Sequence, residues 1–174
     1  MGHKPMTLYA QADLDSTGAL IWSLGDTPIG KKGTRKTIQF PKDSGGTDIT
    51  VRLEDNTGAG IRFKEDDPLW VQEGGTCPPG SGINSNQIPP GSIKCTKTDR
   101  LEFTNLNEGA GRTLIYQLNF VDRMGKDADP QLDPEFKNGG GGAPAASASL
   151  VNNPVTIIAG VALVAMVAYL WMRP

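Results

Sequence analysis

Two cysteines and one histidine are the residues in this chain best suited to covalent or metal chemistry. Cys77 and Cys95 flank a Gly/Pro/Ser/Asn-rich stretch. A disulfide between them would close about 19 residues and stabilise the fold by roughly 3 kcal/mol by restricting the unfolded chain. It would also imply an oxidising compartment. Two separate thiols fit the same spacing; the disulfide is the preferred reading. Two thiols and the remote His3 do not make a zinc tetrad. His3 sits near the start of the chain, no Gly-x-Ser-x-Gly elbow is present, and neither cysteine has a histidine nearby in sequence. Acids are plentiful, but nothing in their spacing selects a catalytic pair. The expectation is a non-enzyme with no catalytic residue and no cofactor.

Gly25-Asp-Thr-Pro-Ile-Gly30-Lys31-Lys32 nearly matches a phosphate-binding loop. Lys32 stands where the Mg²⁺-binding hydroxyl belongs, and a strand pattern follows instead of a helix. Nucleotide binding is not expected here. Lys31, Lys32, Arg35 and Lys36 do make a small basic loop, which either meets anionic headgroups or a partner or is simply solvated. Asp122, Asp127, Asp129, Asp133 and Glu135 form an acidic segment dense enough to suggest Ca²⁺. As an EF-hand it fails, with Leu132 at the required glycine and Asn138 at the bidentate glutamate. Asp13 and Asp15 are a weaker candidate pair. A solvated exit from the domain is the default reading of the acidic segment, and no metal site is expected.

The elements that would position these groups are short strands. MTLYAQA (6–12) and ALIWSL (19–24) read as a hairpin across the Asp15–Gly18 turn. Thr37 to Phe40 is a short strand. DITVRLE (48–54) alternates cleanly, with Ile49, Val51 and Leu53 on one face. Further strands are expected at 60–63 and 68–71. RLEFTNL (100–106) and TLIYQLNFV (113–121) follow. In TLIYQLNFV, Leu114, Tyr116, Leu118 and Phe120 fill one face; Ile115, Gln117, Asn119 and Val121 fill the other. Residues 73–95 read as one long loop and the expected contact surface. Gly (22) and Pro (13) make about a fifth of the 174 residues, which suits many turns. Together these predict an all-β, immunoglobulin-like β-sandwich head over 1–137.

Asn138 to Asn153, with four glycines followed by Pro, Ala and Ser, reads as a flexible linker. Val155 to Met172 then runs 18 residues without a charge. As a helix it would span roughly 27 Å, close to the hydrocarbon thickness of a bilayer. Asn153 would cap it, and Pro154 would occupy its first position. Residues 154–174 are therefore expected to form a single-pass transmembrane helix. Tyr169, Trp171 and Arg173 would be its interface anchors. Thr156, Gly160, Val164 and Ala168 fall on one small-residue stripe suited to packing against another helix. The start, MGHKPMTLYAQADLD, carries no apolar run, so a C-terminal tail anchor is expected. The side of the head stays open. Arg173 favours a head outside, whereas a tail anchor leaves the head where it was made.

The strand TLIYQLNFVDRMGK, the Asp133-Pro134-Glu135 step and the Asn138-Gly-Gly-Gly-Gly142 run, in this order, resemble the DP-EP family of small uncharacterised bacterial β-proteins. The resemblance covers residues 6–142. It implies a sandwich and carries no site residues.

Residues before 138 hold 16 basic and 19 acidic side chains, a net charge of −3. No nucleic-acid partner is expected from so acidic a head. The expected partners are the lipid bilayer and either a protein partner or a second copy. Function is expected to be that of a membrane-anchored interaction or assembly module. The alternatives are a structural membrane protein of an ordered assembly, such as a lipid-containing virion or surface layer, and then a tail-anchored enzyme or Ca²⁺-binding protein.

Overall fold

The alternating strands pack as two five-stranded sheets around one core. The computed structural model describes residues 3–28, 37–41, 44–74, 79–109 and 111–139, which belong to the unit Met1–Gly141. The strands are β1 (Lys4–Leu14), β2 (Leu20–Gly25), β3 (Ile38–Phe40), β4 (Thr47–Asp55), β5 (Arg62–Phe63) and β6 (Leu69–Glu73). They continue with β7 (Ile83–Asn84), β8 (Lys94–Lys97), β9 (Arg100–Asn105), β10 (Arg112–Leu118), β11 (Phe120–Val121) and β12 (Glu135–Asn138). The first sheet runs β2-β1-β4-β9-β8 and the second β3-β12-β10-β6-β7; β11 and β5 form a small ribbon. Both sheets are mixed, with parallel pairs β1–β4, β12–β3 and β6–β7.

The β1–β2 hairpin closes over Asp15, whose Oδ1 accepts from Thr17 N–H, Thr17 Oγ1 and Ala19 N–H. Gly18 completes the turn at φ 83°, a conformation costly for a residue with a Cβ. In β4, Ile49, Val51 and Leu53 point inward, while Asp48, Arg52 and Glu54 stay exposed. In β9, Leu101 and Phe103 are likewise buried.

Aromatic rings fill the space between the sheets. Trp22 stacks on Phe120 with ring centres 4.3 Å apart, and Phe63 lies 4.8 Å from the same ring. Tyr116 sits between Phe136, at 4.1 Å, and Phe103 of the opposite sheet, at 5.9 Å. Trp22 Nε1 donates to the Pro130 carbonyl at 2.6 Å, which satisfies the one polar group of that buried indole.

Three segments differ from the sequence expectation. TLIYQLNFV is not one strand but two, divided at Asn119. There the backbone leaves β10, with its N–H on Pro68 O and its carbonyl accepting from Lys64 N–H. The described part of the 73–95 stretch carries β7, a 3-10 turn at Pro90–Ser92 and the start of β8. Ile88 is fully buried, and Gln87 ties it down through bonds to Leu106 N–H and Glu108 N–H. The acidic segment is no solvated exit. Leu132 and Phe136 enter the core, and β12 fills the place between β3 and β10. Asn138, at the start of the expected linker, is the buried last residue of β12. Among the described residues no helix is long and apolar enough to cross a membrane; the segment 155–172 lies outside them.

Candidate functional site on the outer face of the second sheet

The alternation that buries Leu69, Val71, Leu114, Tyr116 and Leu118 turns Trp70 and Gln117 to the other side. The two residues are direct cross-strand partners on β6 and β10. Around them lies an open cleft of about 500 Å³, lined also by Lys64, Asn119, Asp127 and Gln131.

Each wall is fixed by its own bonds. Trp70 is half-buried, and its Nε1 donates to Asp67 Oδ2 at 2.7 Å. Asn119 Nδ2 donates to Asp67 O at 2.8 Å, so the β5–β6 turn holds both side chains. Gln117 Nε2 donates to Asn119 Oδ1 at 2.6 Å. Gln131 bridges the backbone of Phe120, accepting from its N–H and donating to its carbonyl. Across the cleft Lys64 Nζ meets Asp127 Oδ1 at 3.1 Å. The hydrogen bond that Lys64 donates to Asp127, then the Asp127 charge, raises the Lys64 pKa above its ordinary value, so the ammonium is kept. The two lysines of the lining, Lys64 and Lys126, are matched by Asp127 and Asp129, which leaves the cleft formally neutral. Amides, an ion pair and an indole can orient a ligand.

The sequence candidates fall elsewhere. His3 Nδ1 lies 3.0 Å from Asp48 Oδ1, but Thr104 Oγ1 donates to that same carboxylate, at 2.8 Å. Nearby Ser92 Oγ donates to Pro89 O at 2.7 Å. Neither hydroxyl is bonded to the imidazole, so the arrangement is not a nucleophile–base relay. Cys95 is a half-buried free thiol on β8. Burial, with the Glu65 charge, pushes its pKa up to about 11, which leaves it a poor nucleophile at neutral pH. Its candidate partner Cys77 lies outside the described residues. So do the basic loop residues Lys31, Lys32, Arg35 and Lys36, and the tail residues Thr156, Gly160, Val164, Ala168, Tyr169, Trp171 and Arg173.

Asp127 and Asp129 both line the cleft; the other acidic candidates do not. Asp122 Oδ1 accepts from Met124 and Lys126 N–H, Asp127 pairs with Lys64, and Glu135 pairs with Lys137. Asp13 accepts from Gln11 and Asn56, and Asp15 closes its own turn. Among the described residues no cluster of three or more His, Cys, Asp or Glu is placed to hold a metal ion.

No family model matches the chain, and no curated protein matches it. Among solved structures, an inclusion body protein from Burkholderia cenocepacia is similar at 8% identity, over 79% of this chain and 94% of that one, with a TM-score of 0.28. A likeness that distant carries no argument about function.

The cleft was half legible in the sequence. Alternation in TLIYQLNFV already separates Gln117 and Asn119 from the core face. No sequence signal showed that Trp70 pairs with Gln117, because that register comes from two strands over forty residues apart.

Proposed function

We propose that the chain is a non-enzymatic interaction module, a β-sandwich head that binds through its outer cleft and is held at a membrane by its C-terminal segment. The observation that supports binding is the fixed Trp70 indole beside the Gln117–Asn119 amides in a neutral cleft. Recognition residues on a rigid sheet are pre-ordered, so a ligand need not supply the cost of arranging them. Support for the membrane part is the 18-residue uncharged run Val155–Met172 with its aromatic and basic end. An immunoglobulin-like arrangement and kinship with the DP-EP family belong to the same proposal. Two five-stranded sheets around one aromatic core favour the former, while the three parallel strand pairs are a departure from it.

Fractionation of cells expressing the full chain, with protease protection, tests this reading. The chain is expected in the membrane fraction after alkaline extraction, and deletion of 155–172 is expected to release it. Release of the intact chain by alkali would overturn the anchor.

A further inference from the structure

The cleft also points to a ligand class, an inference that rests on reading this face as a binding surface. We propose that it takes an uncharged polyhydroxylated ligand, a short oligosaccharide, with one sugar ring against Trp70 and hydroxyls on the neighbouring amides.

Three observations carry this. The Trp70 N–H is already committed to Asp67, so the indole offers a ligand its apolar ring surface rather than a donor. That bond also holds the ring, and a rigid aromatic gives contact area at low ordering cost. A pyranose is among the few neutral polar molecules with an apolar C–H face and a rim of hydroxyls.

The amides beside the ring are the second observation. Gln117 Nε2 and Asn119 Nδ2 each spend one N–H within the protein. Each amide nitrogen has two, so a second N–H remains on both, together with acceptor capacity on Gln117 Oε1; both side chains are buried, and a ligand meets them only at the floor of the cleft. A vicinal diol both donates and accepts and matches that set.

Charge is the third. Lys64 faces Asp127 at 3.1 Å, and the cleft has no net positive charge to reward a phosphate or carboxylate. A cleft of about 500 Å³ has room for more than one ring, within the range of roughly 300–1,000 Å³ usual for small-ligand sites.

The test is a titration of the ¹⁵N-labelled full chain in lauryldimethylamine oxide, a detergent without a sugar headgroup. The probes are cellotetraose, maltotetraose, mannotetraose and chitotetraose, with adenosine and inorganic phosphate as controls. At least one tetrasaccharide is expected to shift the Trp70 indole and the Gln117 and Asn119 side-chain amide signals saturably, leaving the core Trp22 indole in place. Trp70→Ala is expected to weaken that affinity at least roughly tenfold. If Trp70→Ala does not fold, Trp70→Phe decides, since it keeps a ring on the sheet and is expected to weaken binding while the amide spectrum stays folded. No saturable shift below about 10 mM from any of the four sugars would overturn the proposal. So would shifts produced only by adenosine or phosphate, or shifts confined to other surfaces. A response of these same signals to adenosine alone would remove the sugar and keep the binding surface; silence to all six probes would count against both.

Discussion

Asn105 and Asn138 exchange two hydrogen bonds across the sandwich, each side-chain amide donating to the other's carbonyl at 2.7 Å. Asn105 comes from β9 of the first sheet and Asn138 from β12 of the second, and both are buried. The pair ties the sheets together where the apolar core ends. Asn138→Ala leaves the Asn105 amide buried and short of a partner, a loss of about 1–3 kcal/mol. The double Ala variant is expected to cost less than the sum of the two singles. Urea denaturation of the four proteins measures this; strict additivity would show that the two amides do not act as a pair.

Trp22 ties the first sheet to the small β5–β11 ribbon and to the loop at Pro130. Trp22→Phe keeps an aromatic ring near Phe120 and loses the bond to Pro130 O, a loss of about 1 kcal/mol. Trp22→Ala opens a cavity and is expected to cost about 3–5 kcal/mol. Thermal melts of both variants check the ratio, and equal losses would mean that ring packing contributes little.

These ties explain what the sequence conveyed and what it did not. DITVRLE and RLEFTNL place their apolar residues at a period of two, and their pairing, Ile49 with Phe103 and Val51 with Leu101, follows from that pattern. The acidic segment has no such pattern. Leu132 and Phe136 are isolated among charges and prolines, and β12 exists because β10 and β3 offer it two partners. Strand formation there is a tertiary effect that local propensity does not carry. Likewise Ile83, Ile88 and Ile93 are spaced too widely to announce that residues 79–95 pack on the sandwich. The Trp70–Gln117 pairing was illegible for the same reason.

The Asp55 carboxylate closes the turn after β4. Burial alone would raise its pKa, but hydrogen bonds from Thr57, Ile61 and Gly60 outweigh it and hold it below 3.8. A depressed carboxylate stabilises the fold above its unfolded-state pKa and loses that contribution as pH falls through its folded value. Stability is therefore expected to drop below pH 3.8, and less steeply in Asp55→Asn. Melting temperatures of the two proteins from neutral pH down to about 2.5 measure this. Parallel curves would mean that Asp55 is not a contributor.

Cys95 makes a kinetic prediction. With reductant present, iodoacetamide at neutral pH is expected to modify Cys95 far more slowly than free cysteine, because its pKa of about 11 leaves little thiolate. The rate should climb with pH well past the range where a free thiol levels off. Peptide mapping at Cys95 separates it from Cys77, and a free-thiol rate at neutral pH would contradict the burial of this side chain.

The binding reading comes down to whether Trp70 meets a ligand. The chain has three tryptophans, at 22, 70 and 171, so Trp22→Phe with Trp171→Phe leaves Trp70 as the only indole emitter. Titrating that protein with the four tetrasaccharides is expected to give, with at least one of them, a saturable blue shift as a sugar ring displaces water from the indole. Emission unchanged by all four, from a protein that melts cooperatively, would contradict the assignment of this cleft.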